Sequence, residues 1–291
     1  GEGGDGKISC SYVLGNRTAV WVCIAISAHS GGQVFADMVL GKHLFLSQGA
    51  DAALSGAVFA VAPAVYSVAC IVVGANKHFS NRTMIAWGLF FYALGFYFLA
   101  PPPGLTSEDD FIGPASLVKG LDGGNATISP HTPSILSETI VAGFNTSFFE
   151  DSAQFLPAWR LSRKDIWVLD IAGLTCMGIG SALILVPAVP LMISGFQSAS
   201  PNADDPTDMV TSIYSGSWSL GELIGPPFGG MLLENLPRER DINCQVSASD
   251  CFWAFHWTML TFTVLIFTAA AGFAVCVPKI PPPPPPAPGA G

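Results

Sequence analysis

Ser217-Trp218-Ser219-Leu220-Gly221-Glu222-Leu223-Ile224-Gly225-Pro226-Pro227-Phe228-Gly229-Gly230 decides the fold class of this chain. It lies inside an apolar segment running from about Met209 to Leu233. Gly221, Gly225 and Gly229 recur every four residues and make one bare stripe on a helix. Such a stripe lets a second helix approach backbone to backbone, which is how helices associate once lipid removes the hydrophobic drive between them. Pro226 and Pro227 sit in the same helix, where neighbouring helices re-satisfy the carbonyls they free. Glu222 is a carboxylate near the middle of the span, where charge is costly and marks a pathway. The stretch therefore reads as one helix of a polytopic membrane protein with a polar interior.

The composition agrees. Hydrophobic residues make up 50% and charged residues only 11%, against roughly 25% charged in soluble domains. Apolar runs near Trp21–Leu40, Ala52–Ala75, Met84–Ala100, Ile166–Phe196, Met209–Leu233 and Phe252–Val277 predict six transmembrane helices, each long enough to cross a hydrocarbon core, which requires ~20 residues. The fourth run is over-long and carries Pro187 and Pro190, which predicts a kink or tilt. No stretch reads as a secretory signal, and a chain beginning at Gly1 is expected to be a piece whose upstream part is missing.

These runs divide the chain into a lead-in over 1–17, helices one to three over 18–100, a long loop over 101–165, helices four to six over 166–277 and a Pro-rich tail over 278–291. The loop is rich in Ser, Thr, Gly and Pro and carries two glycosylation sequons, at Asn125 and Asn145. Those sequons place it on the luminal or extracellular side. The lead-in and tail are then cytoplasmic. Two further sequons, at Asn16 and Asn81, abut spans and are set aside. The Lys/Arg tally points the other way, with Lys42, Lys119, Arg160, Arg163, Lys164, Arg238 and Arg240 outside against Lys7, Arg17, Lys77, Arg82 and Lys279 inside, so the orientation rests on the sequons. Pro281–Pro286 reads as an extended polyproline spacer.

Seven cysteines do not form a disulfide framework, because Cys23, Cys70, Cys176 and Cys276 fall in apolar helices. Cys244 and Cys251 flank a short loop on the side of the sequons, where either a disulfide or two free thiols fits.

On the first helix His29, Gln33 and Asp37 stand four apart and share one face. A histidine and a carboxylate on one face suit proton-coupled transport, since burial or a partner brings either into the working pH range. Asp37 also has an alternative reading, as an interfacial partner of Lys42. Glu222 reads either as a proton or cation site or as a carboxylate that fixes the proline kink. Phe252, Trp253 and Trp257 read as an interfacial belt, with His256 beside them.

Six helices in this order resemble the C-terminal half of a major facilitator superfamily transporter. The resemblance is carried by Gly221, Gly225, Pro226, Gly229 and Gly230, which look like the antiporter motif of the eleventh helix. Within the superfamily the chain looks similar to the vesicular amine transporters, in particular the polyamine branch. Phe35-Ala36-Asp37-Met38-Val39-Leu40 resembles the acidic seventh-helix motif, Gly56-Ala57-Val58-Phe59 through Tyr66 the eighth helix, and Gly178-Ile179-Gly180 through Pro187 and Pro190 the tenth. The resemblance implies that Tyr66 faces inward, where its ring suits a cationic substrate. The chain departs from the monoamine members, whose tenth- and eleventh-helix aspartates are replaced by the apolar run Ala182–Val186 and by Ser215. The gate segment Gly74-Ala75-Asn76-Lys77-His78 is also degraded.

No metal-ligand spacing, phosphate loop or nucleophile motif supports an enzyme, and neither a metal nor a cofactor is expected. A net charge of −9 excludes a nucleic-acid footprint. The sequence-level expectation is a proton-coupled antiporter of a small organic cation, an amine or polyamine, in a vesicle or plasma membrane. Its partners are that substrate, protons, the lipid bilayer and a missing N-terminal half. Asp37 and Glu222 are expected to bind cation and proton, with His29, Gln33 and Tyr66 along the path. The alternatives are an antiporter of another drug or metabolite, a half-transporter that dimerises, and a non-transporting membrane subunit.

Overall fold

The computed structural model describes residues 15–48, 50–76, 78–101, 163–199, 206–235 and 248–278. These residues form seven helices with short non-helical stretches at their ends, and no strand among them: α1 Arg17–Gln48, α2 Ala52–Phe59, α3 Val61–Ala75, α4 Asn81–Leu99, α5 Arg163–Ala199, α6 Thr207–Asn235 and α7 Ala248–Cys276. Five segments are long and apolar enough to cross a membrane: Arg17–Gly41, Ala52–Ala75, Asn81–Leu99, Asp165–Ser198 and Phe255–Cys276. Among the described residues the chain is all-helical, and these five segments mark an integral membrane protein.

The expected six apolar spans need one correction. The helix at Met209–Leu233 forms, as α6, and its 29 residues suffice in length, but it is not among the five apolar segments. Thr211, Ser212, Ser215, Ser217, Ser219 and Glu222 dilute its apolar side chains. It has three faces. Val210, Ser217, Gly221, Gly225 and Gly229 are buried against the bundle, while Leu220, Leu223, Ile224 and Met231 form an exposed apolar face. The third face, through Thr211, Ser215, Ser219 and Glu222, is exposed and polar.

The second span is divided. Ala60 ends α2 and starts α3, and its own N–H donates back to Gly56. Pro63 is the cause, since it lacks the N–H that would bond the carbonyl of Phe59 and its ring crowds that carbonyl. Asp51 caps α2 by accepting from Leu54 N at 2.7 Å. Helix α5, by contrast, runs continuously through Pro187 and Pro190.

Neighbouring contacts show the direction of each helix. Ser27, Gly31 and Phe35 of α1 meet Ser217, Gly225 and Gly229 of α6 in the same order, so α1 and α6 run parallel. Gly88 and Gly95 of α4 meet Gly180 and Gly173 of α5, an antiparallel pair. Helix α7 runs against α1, with Trp21 beside Gly272 and Phe35 stacked on Phe262 at 4.5 Å. The spans therefore alternate in direction along the chain. At one end of the bundle His256 Nδ1 donates to Pro101 O at 2.7 Å, joining the last residue of the α4 exit to the start of α7. At the other end the Arg82 guanidinium donates to Ala274 O, one of the α7 carbonyls left without an intrahelical partner. The segments after α4 and before α7 thus leave from the same end. His256 is buried there, 2% exposed, rather than part of an interfacial belt.

Glycines set the closest approaches. A Cβ on Gly225 would meet the Gly31 carbonyl oxygen and stand 2.6 Å from Gly31 Cα. One on Gly221 would strike Ser30 Oγ and Ser27 O, and one on Gly229 the Phe35 ring. Gly230, expected to share this packing role, has nothing within 4 Å. A second glycine seam joins α4 and α5, where a Cβ on Gly180 would stand 2.7 Å from both Gly88 O and Tyr92 N, and one on Gly173 2.9 Å from Gly95 O. Gly32 faces α4 instead of α6, with Phe96 Cζ at 3.1 Å. Helix α1 is the centre of the bundle, packed on α4, α5, α6 and α7.

Asn16 caps α1, its Oδ1 accepting from Thr18 N at 3.0 Å and Ala19 N at 3.3 Å. Its Nδ2, the atom a glycan would occupy, is buried, so setting that sequon aside agrees with the structure. Asn125, Asn145 and Cys244 lie outside the described residues, and the side chains of Lys42 and Cys251 do as well.

Candidate functional site

Apolar helices bring a connected set of polar side chains together around His29. The i, i+4 spacing on α1 places Gln33 beside Asp37, and Gln33 Nε2 donates to Asp37 Oδ1 at 3.0 Å. From α4, the Tyr92 hydroxyl donates to His29 O at 2.9 Å and reaches Gln33 Oε1 at 3.4 Å. From α5, Ser181 Oγ lies 2.8 Å from His29 Nε2. Trp218 on α6 stands over the same ring, with centroids 5.6 Å apart, and Tyr92 stands 4.7 Å away on another side.

The same indole leads to Glu222. One helical turn separates the two residues, and Trp218 Nε1 donates to Glu222 Oε1 at 2.7 Å. Three of the four helices around α1 therefore supply side chains to a single network, one each from α4 and α5 and two from α6. The register that holds them is set by α1 itself, since Ser27 Oγ donates to Ser217 O at 2.7 Å and Ser30 Oγ to Trp218 O at 2.9 Å. These bonds are made possible by the glycine stripe, which lets the serines reach the main chain of α6.

The site is graded in exposure. His29 and Tyr92 are 2% and 0% exposed, whereas Asp37 and Glu222 are exposed at the surface of the bundle. Gly31 contacts both Gly221 and Gly225, so Glu222 is level with Gly31, and Asp37 lies six residues further along α1. At 1.5 Å per residue the two carboxylates are offset along the axis by about 9 Å. No Lys or Arg side chain is placed against either by an ion pair among the described residues.

Of the residues singled out from sequence, His29, Gln33, Asp37 and Glu222 belong to this network. Tyr66 does not. It is on α3, half buried, with Cys70 one turn away and Tyr214 of α6 nearby. Sequence reading missed three members. Trp218 carried a signal, its spacing of four from Glu222. Tyr92 carried a weaker one, as a hydroxyl in an apolar helix. Ser181 carried none, because a single serine in a membrane helix commonly bonds its own main chain, as it also does here to Met177 O at 2.7 Å.

The arrangement is suited to holding positive charge. Two carboxylates are exposed on one flank of an otherwise apolar bundle, and aromatic faces with a buried imidazole lie between them. No group of three or more His, Cys, Asp or Glu side chains that could hold a metal occurs among the described residues. No protein family, curated protein or solved structure matches the chain.

Proposed function

We propose that the chain is one half of a secondary active transporter of the major facilitator type, which exchanges a small organic cation, an amine or polyamine, for protons across a vesicle or plasma membrane. The observation that carries this reading is the network from Asp37 through Gln33, Tyr92, His29 and Trp218 to Glu222, built across α1, α4 and α6. Ionisable side chains in membrane helices are expensive and line substrate or proton pathways. Asp37 and Glu222 bind the cation, with Gln33 and the Trp218 ring lining its path.

Two further features support it. The alternating helix directions and the α1–α6 glycine contact suit a half-transporter that rocks against a second half around a midplane site. The exposed polar face of α6 also needs a partner or an aqueous path, because lipid would leave Ser215, Ser219 and Glu222 unsatisfied. In this reading a second half of the transporter supplies that partner.

The test is uptake of labelled polyamines and monoamines into vesicles bearing the full-length protein, with an imposed pH gradient. Accumulation that collapses with the gradient supports the proposal. A gradient-independent leak of small ions would favour a pore instead.

A further inference from the structure

We infer that Nδ1 of His29 is the atom that carries the coupling proton, and that Ser181 fixes the tautomer that leaves it available; this deepens, and rests on, the transport reading. The His29 ring holds an atom that has no partner. His29 is 2% exposed, yet its Nδ1 is buried without a hydrogen bond. Buried polar atoms are nearly always paired, so an exception requires a reason.

Ser181 assigns the ring. Its Oγ has one hydrogen and two neighbours, Met177 O at 2.7 Å and His29 Nε2 at 2.8 Å. A carbonyl oxygen can only accept, so the hydroxyl hydrogen goes to Met177 and Nε2–H donates to Oγ. Nδ1 is then a bare lone pair. The opposite assignment would strand a buried N–H, and orphaned donors are rarer than under-used acceptors. Protonation leaves the Nε2 contact intact but creates an Nδ1–H that has no acceptor in this conformation, so the proton is held in a state of the cycle that supplies one.

The proton step is balanced simply. A hydronium ion on the acidic side gives its proton to Nδ1, forming N–H and leaving water, and the reverse transfer on the other side restores the lone pair. The imidazolium would lie 4.7 Å from the Tyr92 ring and 5.6 Å from the Trp218 ring, within the ~6 Å reach of cation–π attraction. The Trp218 face also lines the path of an organic cation. Two positive charges cannot share that face, so proton and substrate occupy it in turn, which is the requirement for exchange. The division of labour follows: His29 carries the proton, and Asp37 and Glu222 hold the cation.

Other ionisable groups surround the ring at known places. Asp37 lies two turns along α1, and the Tyr92 phenol is in contact from α4. From α6, Glu222 is linked through Trp218. On α5 the facing residue is Ser181, and Asp170 lies eleven residues earlier. On α3 the nearest are Tyr66 and Cys70, and on α7 His256 sits by His43, fourteen residues along α1.

The experiment uses the full-length protein in lipid nanodiscs, with tryptophan emission followed as a function of pH. An imidazolium against an indole quenches it, and Trp218→Phe identifies the contribution of that indole. The wild type is expected to show an acid quenching step that both Trp218→Phe and His29→Gln lose. Gln keeps an amide N–H for Ser181 but cannot titrate. In vesicles, His29→Gln is expected to lose accumulation driven by the pH gradient while retaining cation exchange without a gradient. Ser181→Ala keeps the ring and is expected to shift the midpoint of the quenching step, which covers the case in which His29→Gln does not fold. Gradient-driven accumulation at the wild-type level in His29→Gln would overturn the proposal, as would an unchanged quenching step. A wild type that shows the step but accumulates no cation leaves the proton site standing and refutes the transport reading. Accumulation without any His29-dependent step does the reverse.

Discussion

Replacing Gly225 by alanine adds one methyl group to the closest helix contact in the bundle. That carbon would stand 2.6 Å from Gly31 Cα and 2.8 Å from Gly31 C. Carbon atoms settle at about 3.5–4.0 Å, so α1 and α6 must part by roughly 1 Å. Both obstructing atoms are main chain, so no rotamer change relieves the clash. Overpacking of this kind costs about 1–3 kcal/mol. Separation also stretches the bonds from Ser27 to Ser217 O and from Ser30 to Trp218 O, worth about 0.6 kcal/mol each between membrane helices. The total is about 2–4 kcal/mol, offset by the ~1 kcal/mol that alanine gains over glycine in helix propensity. Gly230→Ala gains the same propensity with nothing within 4 Å to meet. The difference between the two variants therefore isolates the contact. Unfolding of the full chain in nanodiscs should separate them by about 30-fold or more in the folding equilibrium, at 1.36 kcal/mol per tenfold. Cys23, half-buried on α1 one turn before Ser27, should alkylate faster in Gly225→Ala, read residue by residue by mass spectrometry. Equal stability of the two variants would refute the packing argument and place the stripe against lipid.

Asp37→Asn is expected to abolish gradient-driven cation accumulation while the protein still reaches the membrane, because Asn keeps the shape and the Gln33 contact but not the charge. An exposed ion pair with Lys42 would be worth only about 0–1 kcal/mol, and near wild-type accumulation in vesicles would favour that role instead. The segments after α4 and before α7 leave from one end of the bundle, so residues 102–162 and 236–247 should both react from the luminal or extracellular side, with a glycan mass shift lost in Asn125→Gln/Asn145→Gln; labelling of both from the cytosol alone would reverse the orientation. Arg82→Gln removes a cation from the C-terminal carbonyls of α7 and should destabilise by about 0.3–1 kcal/mol, with hydrogen exchange rising first in the last turn of that helix.

Most of the fold was legible because its determinants are local. Apolar run length located every described helix, with α2 and α3 as one run, and the ends moved by only a few residues except in α1, which extends to Gln48 beyond the apolar run. The glycine stripe identified the packing face of α6 because a period of four needs no knowledge of the partner. The seam of Gly88 and Gly95 on Gly180 and Gly173 was harder to see, since glycines seven apart mean little until two such pairs face each other. The break at Ala60 was readable in principle from Pro63. At the site, α1 announced His29, Gln33 and Asp37 by spacing alone. What joins them to Glu222 is the ring of Trp218 and the hydroxyls of Tyr92 and Ser181, which come from three other helices. That is tertiary information, carried by side chains whose default role in a membrane helix is packing.

The neighbouring glycines Gly31 and Gly32 have a mechanical consequence. One is pressed against α6 and the next against α4, about 100° apart around the axis of α1. Turning α1 toward α6 meets main chain, whereas turning it toward α4 meets only the Phe96 and Tyr92 rings, so the α1–α6 contact is the stiffer of the two. A large movement then carries α1 and α6 together, and the work of a conformational cycle falls on the joints between this pair and whatever it moves against.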